Sequence, residues 1–544
     1  MSFPGIADVL EDVSREIPGR PAIVTGDGVT TWKMLGERAA GLAGHMCDAG
    51  LGHQAKVGVY LRNGSEYLET VFAALKAGLV PINVNYRYGT SELRYLFENA
   101  DVEAVVFDQS FAPVIEELRP QLPEATKWYC VGPTTLGDVT PYETAVRYRS
   151  RGRSGGHRRS PDDIVMVYTG GTTGMPKGVM WRQGDLVRIL ASKGGAVEPI
   201  VPPADESTPV DLERDPQVCL VACPLMHGTG LFNALGAMMK GDTVVLLGGA
   251  TFDARELCRA IAENAVTTVV IVGDSFARPL LQVLDDAPEE DYLGSVRTII
   301  SSGATWSQDV KARLLAHNIA MTLVDSFGAS EISGLGRSVS TNGKIRQTGA
   351  FELSEHARLI DEQGQLVVQG SSQSGMIVVG GPLPLGYYKD PERTARTFRE
   401  VDGQRFAVTG DWAKYTADGD LVFVGRGSGC INSAGEKIFP EEVEEAIKLH
   451  PGVADAAVFG VADGQFGQKV AAVVEPDDGR RLVPSEIMDH VRLHLAGFKV
   501  PRHVWFVDSL ERTPAGKLDY QRVRSMTEDL LADAYPADDG VAGA

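Results

Sequence analysis

From about residue 55 onward, short apolar runs alternate with stretches of helical spacing. Lys56–Leu61 (KVGVYL) has strand length, and Tyr67, Leu68, Val71, Phe72 and Leu75 then recur at the three-and-four interval of one helix face. Val80–Val84 reads as a second strand, Ser91–Asn99 as a second helix and Ala104–Phe107 as a third strand. Such alternation predicts α/β layers on a largely parallel sheet, because a parallel partner is reached through a crossover helix. Upstream, the Leu, Ile and Val residues of MSFPGIADVLEDVSREIP are spaced for an amphipathic helix.

After a polar, Arg/Gly-rich stretch at 150–160 the pattern resumes. Strands are expected at Val218–Ala222, Val244–Leu247, Thr267–Val272, Arg297–Ser301 and Met321–Asp325. Asp253-Ala-Arg-Glu256 has the form of a capping box opening a helix, and Val310–His317 is a further helical segment. From about 355 the texture changes to short alternating strands (Met376–Val379, Phe406–Thr409, Leu421–Val424) between Gly-rich turns. A compact final unit follows Arg426. It has a helix from Pro440, where proline at the first helical position sacrifices no hydrogen bond. Strands at 453–461 and 469–475, a helix at 485–495 and a strand at 503–508 complete it. A domain boundary is expected near 426–429. No repeat of solenoid period is present.

Composition narrows the class. At 544 residues the chain has room for about three or four domains and can bury a sizeable core without disulfides or structural metals. Hydrophobic residues at 43% and charged residues at 23% are ordinary for a globular protein, and they exclude chain-wide disorder, collagen-like repeats and a disulfide scaffold. The 61 glycines suit turns between alternating elements. A formal charge of −20 argues against a nucleic-acid partner, but a local cationic cluster can still hold a small anion. Cys47, Cys130, Cys219, Cys223, Cys258 and Cys430 contain no CxxC and read as free thiols in a reducing cytoplasm. The first residues lack the basic and apolar regions of a signal peptide. No apolar run approaches the ~18–20 residues of a transmembrane segment. The acidic, Ala/Gly-rich tail is expected to be disordered from about 530.

The strongest chemical signal is Tyr168-Thr-Gly-Gly-Thr-Thr-Gly-Met-Pro-Lys177-Gly178, after an apolar strand Ile164–Val167. Gly170, Gly171 and Gly174 permit backbone conformations that aim N–H groups at an anion. Thr169, Thr172 and Thr173 add hydroxyl donors, and Lys177 adds a point charge. Oriented N–H groups, hydroxyls and one cation are what a polyphosphate needs. A Walker A loop requires Gly-Lys-Ser/Thr, whereas Lys177 lies between Pro176 and Gly178.

This segment resembles the signature loop of the AMP-forming adenylating enzymes: acyl-CoA synthetases, peptide-synthetase adenylation domains and luciferases of the firefly type. Further motifs follow in the family's order, so the resemblance covers nearly the whole chain. Pro224-Leu-Met-His227-Gly-Thr-Gly230 resembles the family's second core stretch, where the His lines and gates the acyl pocket. Ser302-Gly303-Ala304 resembles the adenine-contacting segment. Asp325-Ser326-Phe327-Gly328-Ala-Ser330-Glu331 resembles the aromatic-Gly-x-Thr-Glu motif. There Phe327 would stack on adenine, Ser330 keeps the hydroxyl of the usual Thr, and Glu331 offers a hard oxygen to Mg²⁺. The resemblance implies Glu331 and Thr169 as the metal contacts. Asp411, in Thr409-Gly410-Asp411, would accept from the ribose hydroxyls, and Arg426 would be a second ribose or phosphate contact at the start of a hinge. By the same resemblance Gly435 would mark the pantetheine path and Lys437 would be a basic residue facing phosphate. Lys517, in Arg512-Thr-Pro-Ala-Gly516-Lys517, resembles the catalytic lysine. Ser428, Gly429 and Asn432 depart from the family's charged hinge, although a Ser-Gly joint can absorb a large φ/ψ change.

The implied architecture is a mixed α/β (α+β) fold. A large N-terminal domain (1–426) comprises layered α/β subdomains plus a β-rich subdomain, and a small mobile α+β C-terminal domain (427–544) carries Lys517. The implied chemistry is ATP-dependent activation of a carboxylic acid to acyl-AMP, followed by transfer to the thiol of CoA. Lys517, Glu331 and His227 are the catalytic candidates, and ATP, Mg²⁺ and CoA the cofactors. Segments such as TGGTTGMPKGVMWR and KVPRHVWFVDSLERTPAGK are similar to actinobacterial synthetases for fatty acids and steroid side-chain acids. The acyl pocket is expected between the 227–235 helix, the 267–276 strand and turn, and the 301–306 segment. Asp274 there keeps amino-acid activation open. Transfer to a carrier-protein phosphopantetheine and a non-catalytic nucleotide-binding scaffold are the rival readings. A cytoplasmic location and a homodimer complete the expectations.

Overall fold

The apolar runs become the strands of two mainly parallel sheets. The structure, a computed structural model, describes residues 4–124, 126–149, 159–171, 174–190, 212, 214–249, 251–354, 356–361, 363–371, 373–401, 403–416, 420–426, 431–433, 436–463, 467–477, 479–512, 518 and 522. They form two compact units. The first holds the chain up to Ala357 together with Val378–Thr409; the second holds Arg358–Ile377 and the chain from Gly410.

One sheet of the first unit runs, in spatial order, Gly28–Thr31, Pro21–Thr25, Thr243–Leu246, Val218–Val221, Thr268–Ile271, Thr298–Ser302, Thr322–Ala329, Ile332–Ser340 and Ala350–Leu353. The six from Pro21–Thr25 to Thr322–Ala329 are parallel, and their flanking neighbours are antiparallel. Val269, Val270, Ile271 and Ile299 are all buried. These strands read as unbroken apolar runs because both sheet faces are covered. The second sheet runs Gly386–Tyr387, Gly174–Arg182, Ile164–Gly171, Val80–Asn83, Lys56–Tyr60, Val102–Asp108, Lys127–Val131 and Thr140–Pro141. It is parallel from Ile164–Gly171 onward, and Tyr60, Ile82, Phe97, Phe107 and Trp128 fill one side of it.

Several elements differ from expectation. Asp253 caps the helix Ala254–Glu263, its Oδ1 accepting from Arg255 N at 2.8 Å and Glu256 N at 3.4 Å. Among the described residues no bond returns from Glu256, so only half of the capping box forms. A helix, Asp274–Asp286, begins inside the stretch expected to be a strand and turn. Two strands are longer than expected, Thr322–Ala329 and Gln404–Tyr415. Thr322–Ala329 is held by the antiparallel Ile332–Ser340, and Gln404–Tyr415 by two antiparallel partners, Phe398–Val401 and Leu421–Arg426; local periodicity does not reveal these pairings. Among the described residues no helix is long and apolar enough to cross a membrane.

In the second unit, Leu421–Arg426 pairs antiparallel with the end of Gln404–Tyr415. A five-stranded sheet contains Glu436–Ile438, Ile431–Ser433, Gly467–Pro476 and Val453–Asp463, with His503–Phe506 parallel to Gly467–Pro476. Pro440 opens the helix Pro440–Lys448 and Pro484 the helix Pro484–His494. Ile438, Val443, Ile447, Val474, Ile487 and Val491 form the core between helices and sheet. The compact units divide at Thr409/Gly410. The expected joint at 426–429 falls mostly on residues 427–430, which lie outside the described residues, as does the tail beyond 522.

Candidate active site

In a parallel sheet the loops after the strands' carboxyl ends form the natural ligand crevice. Here three such loops meet. After Val218–Val221, Pro224–His227 turns into the helix Gly228–Met239. A Cβ on Gly230 would lie 2.4 Å from Pro224 O, so only glycine permits that turn. After Thr268–Ile271, Gly273 has φ +54°, and a Cβ there would lie 2.2 Å from Thr305 O. Ser301 Oγ accepts from Gly273 N at 2.9 Å, and Asp274 N donates to Thr305 O at 3.0 Å. After Thr298–Ser302, Gly303 (φ +95°) faces Thr229 Oγ1, with 3.5 Å from the position of a Cβ. The three segments expected to wall the acyl pocket are thus brought together. His227 sits half-buried at the N-cap of its helix.

The second sheet is fastened to this crevice by two asparagines that sequence reasoning passed over. Asn83, ending its strand and only 6% exposed, donates from Nδ2 to Tyr168 O (2.9 Å) and Met226 O (2.6 Å). Its Oδ1 accepts from Tyr168 N at 2.7 Å. Asn63 donates to Cys223 O (3.1 Å) and accepts from Leu225 N (2.8 Å). Their only sequence signal is a polar residue closing an apolar strand (VPIN) or just beyond one.

The expected phosphate loop is the end of a β-hairpin. The strand runs on from Ile164 through Gly171 and pairs with Gly174–Arg182, with Thr169 opposite Lys177 and Gly171 opposite Gly174. The expected strand end at Val167 is therefore corrected: Thr169, Gly170 and Gly171 extend it, and Thr172 and Thr173 lie outside the described residues. Directly opposed residues point to one face of a sheet, so the Thr169 hydroxyl and the Lys177 ammonium share a face; both are half-buried. A Cβ on Gly178 would meet Met166 Sδ and Tyr168 Cε2, each at 2.7 Å.

Asp325–Glu331 also differs from a strand followed by a loop. The strand Thr322–Ala329 carries Ser326 in register with Ser302 and Phe327 opposite Gly336. One face of the Phe327 ring stacks on Phe351, with centroids 5.0 Å apart. Asp325 is buried, and its Oδ2 accepts from Lys311 Nζ at 3.1 Å. Burial pushes its carboxyl up to about 6, while Lys311 pulls the other way. The carboxylate expected to belong to the nucleotide site is committed to an interior ion pair, and Lys311 lies 5.5 Å over the Trp306 ring. Ser330 O accepts from Trp181 Nε1 at 2.9 Å, and Glu331 Oε1 from the Tyr387 hydroxyl at 2.7 Å. A Cβ on Gly228 would come within 3.9 Å of Ser330 Oγ, which places His227-Gly228 beside this motif.

Both carboxylate oxygens of Asp274 are engaged within the fold. Its Oδ1 accepts from Ser307 N at 2.9 Å, and its Oδ2 meets the Ser307 hydroxyl and Arg278. The first unit therefore links the hairpin of Thr169 and Lys177 to the turn of His227 through Asn83, that turn to Ser330-Glu331, and Ser326-Phe327 to Ser302. In the second unit Asp411 is buried opposite Arg426, and Lys437 pairs with Asn432 in a hairpin. Gly435, Ser428, Gly429 and Lys517 lie outside the described residues. Among the described residues no three His, Cys, Asp or Glu side chains gather to hold a metal ion. A single carboxylate at Glu331 suits Mg²⁺ carried on phosphates, since that ion takes one or two carboxylates, phosphate oxygens and water.

Comparison with known proteins gives matches over nearly the whole chain. Residues 10–388 match the family described as AMP-binding enzyme, and residues 442–517 the AMP-binding enzyme C-terminal domain. The chain is 39% identical, over 98% of both sequences, to a Mycobacterium marinum protein named a medium/long-chain-fatty-acid–CoA/3-oxocholest-4-en-26-oate–CoA ligase. It is 36% identical, over 98% of both, to a Rhodococcus rhodochrous 3-oxocholest-4-en-26-oate–CoA ligase. In fold it is similar to the anthranilate CoA ligase AuaEII in complex with anthranoyl-AMP, with TM-score 0.84, 21% identity, and coverage of 98% of this chain and 99% of that one.

Proposed function

The chain belongs to the AMP-binding enzyme family, and from that premise we propose that it is an ATP-dependent acyl-CoA ligase acting on a hydrophobic carboxylic acid. A fatty acid or a steroid side-chain acid is the substrate class, which the full-length similarity to ligases of those names supports. The observation that carries the reading is the linkage of the Thr169–Lys177 hairpin to the His227 turn through Asn83 and to Ser330-Glu331 through Trp181 and Tyr387. Commitment of Asp274 to Ser307 and Arg278 supports an uncharged acyl group over an amino acid.

A carboxylate is a poor acyl electrophile, being anionic with oxide as its leaving group. Its oxygen attacks the α-phosphorus of ATP, the bond to the β-phosphate oxygen breaks, and pyrophosphate departs. Two anions meet, so the protein's contribution is positioning and charge. The hairpin face with Thr169 and Lys177 holds the phosphates, and Ser302–Ala304 with Phe327 borders the base. Mg²⁺, held by the triphosphate and Glu331, would offset phosphate charge. Lys517 supplies the cation that meets the forming anhydride. The CoA thiolate then attacks the acyl carbon, the anhydride C–O bond breaks, and AMP leaves with the electron pair. The C-terminal domain moves between the steps about the 426–429 joint. A cytoplasmic location accords with the free thiols at Cys47, Cys130, Cys219, Cys223 and Cys258.

The test is pyrophosphate release across a panel of acids, with CoA or a holo-carrier protein as acceptor. Medium- and long-chain or steroid acids with CoA should give the highest kcat/KM. Preference for acetate, an amino acid or the carrier protein refutes the reading.

A further inference from the structure

We propose that Tyr387 is a positioning residue for Glu331 and that, with Trp181, it fixes the acidic end of the phosphate site to the strand carrying Lys177. The proposal rests on the reading of Glu331 as the carboxylate that faces the triphosphate. The Tyr387 hydroxyl donates to Glu331 Oε1 at 2.7 Å, and among the described residues Glu331 Oε2 makes no hydrogen bond. One oxygen is held and the other left for a hard cation.

The tyrosine is itself held. It is 7% exposed, and its backbone N donates to Thr394 Oγ1 at 2.9 Å. Gly386 (φ +150°) has room for Thr394 only because it lacks a Cβ, which would lie 2.4 Å from Thr394 Cγ2. Phe398 and Arg393 flank the ring at 5.9 and 5.8 Å. Tyr387 pairs with Val179, two residues along the strand from Lys177, and Tyr388 N donates to Gly178 O at 2.8 Å. Trp181, on that same strand and fully buried, grips Ser330 O at 2.9 Å. Ser330-Glu331 is thus gripped twice from one strand pair, which sets the separation between the site's cation and its carboxylate.

A glutamate side chain left free must give up its rotamer freedom when nucleotide binds. A hydroxyl already holding it removes that loss in advance. A phenol is a neutral donor at neutral pH, so it holds the carboxylate without adding a charge that competes with a cation.

The experiment is Tyr387→Phe, which keeps the ring and its contacts. Binding of Mn²⁺ with α,β-methylene-ATP is read by electron paramagnetic resonance, alongside steady-state constants for acid and CoA. Tyr387→Phe is expected to weaken the metal–nucleotide complex about tenfold, the scale of one charge-assisted hydrogen bond, and to leave the KM values for acid and CoA unchanged. On a Glu331→Gln background the same change should do nothing. Glu331→Asp, too short to reach the hydroxyl, should reproduce the loss with Tyr387 in place. Metal–nucleotide binding by Tyr387→Phe equal to wild type overturns the proposal, and so does an undiminished effect on the Glu331→Gln background. A wild type that binds Mn²⁺–nucleotide yet shows no acid-dependent pyrophosphate release refutes the ligase reading alone, since the binding arm still decides the role of Tyr387. A wild type that binds no nucleotide refutes both.

Discussion

Replacing Asn83 by alanine removes three hydrogen bonds at once, two donated to Tyr168 O and Met226 O and one accepted from Tyr168 N. All lie in a buried junction, so the backbone groups left behind lose partners without regaining bulk water. At about 1 kcal/mol for each bond, the loss is about 3 kcal/mol, reduced where a water fills the gap. Asn63→Ala removes two bonds to the same turn and should cost about 2 kcal/mol. The two effects should not add, because both asparagines hold residues 223–226. The junction also sets where the Pro224–Gly230 turn stands relative to the Thr169–Lys177 hairpin. A misplacement there of about 1 Å lowers kcat by up to about a hundredfold. Calorimetric midpoints and ATP–pyrophosphate exchange at saturating acid measure the two consequences separately. Asn83→Ala with a stability loss below about 0.5 kcal/mol and an exchange rate within about twofold of wild type would refute the argument.

Lys517→Ala is expected to lower adenylate formation by two or three decades, about 3–4 kcal/mol, while sparing thiolysis of supplied acyl-AMP; equal loss in both half-reactions refutes the two-step role. Asp325 is raised from 3.8 to about 6, so the folded state binds its proton more tightly than the unfolded chain does. The stability this carboxyl contributes is full below about pH 4 and lost as pH rises through 6. Lys311→Met leaves that carboxylate buried and unpaired, costing about 3–5 kcal/mol at pH 7.5 and much less at pH 4.5, where the proton returns. Thermal midpoints at the two pH values check this, and an equal loss at both contradicts it. Gly273→Ala should cost about 3 kcal/mol or more, since its φ of +54° is combined with a backbone oxygen 2.2 Å from the new Cβ. Gly303→Ala, with φ +95° and its nearest atom at 3.5 Å, should show strain alone, about 1–2 kcal/mol; urea midpoints that rank them the other way contradict the geometry.

The parallel strands were legible because burial on both faces writes them as unbroken runs such as Thr268–Ile271. The hairpin was legible in chemistry and less so in shape. Thr and Gly at 169–171 look like a loop, and only the pairing of Thr169 with Lys177 makes them strand. Thr322–Ala329 likewise outruns its apolar run, which ends at Asp325. Gly328 breaks the local pattern, while the partner strand Ile332–Ser340 supplies the hydrogen bonds that extend it.

What separates the legible part of the site from the rest is the range over which each residue acts. A triphosphate is small, so its donors cluster within a few residues, and Thr169–Lys177 or Ser330-Glu331 can be seen in one window of sequence. The residues that place those donors act across the fold. Asn83 meets backbone 85 and 143 residues away, Trp181 reaches 149 residues to Ser330, and Tyr387 reaches 56 to Glu331. Neither an Asn ending a strand nor a Tyr in a Gly-Tyr-Tyr run declares its partner. Asp274 makes the same point from the other side. An aspartate in the first turn of a helix beside a crevice can bind a ligand or hold the neighbouring loop. Arg278, four residues on, reaches one carboxylate oxygen, and Ser307, 33 residues on and out of sight of any local window, takes both, so the aspartate holds its neighbouring loop.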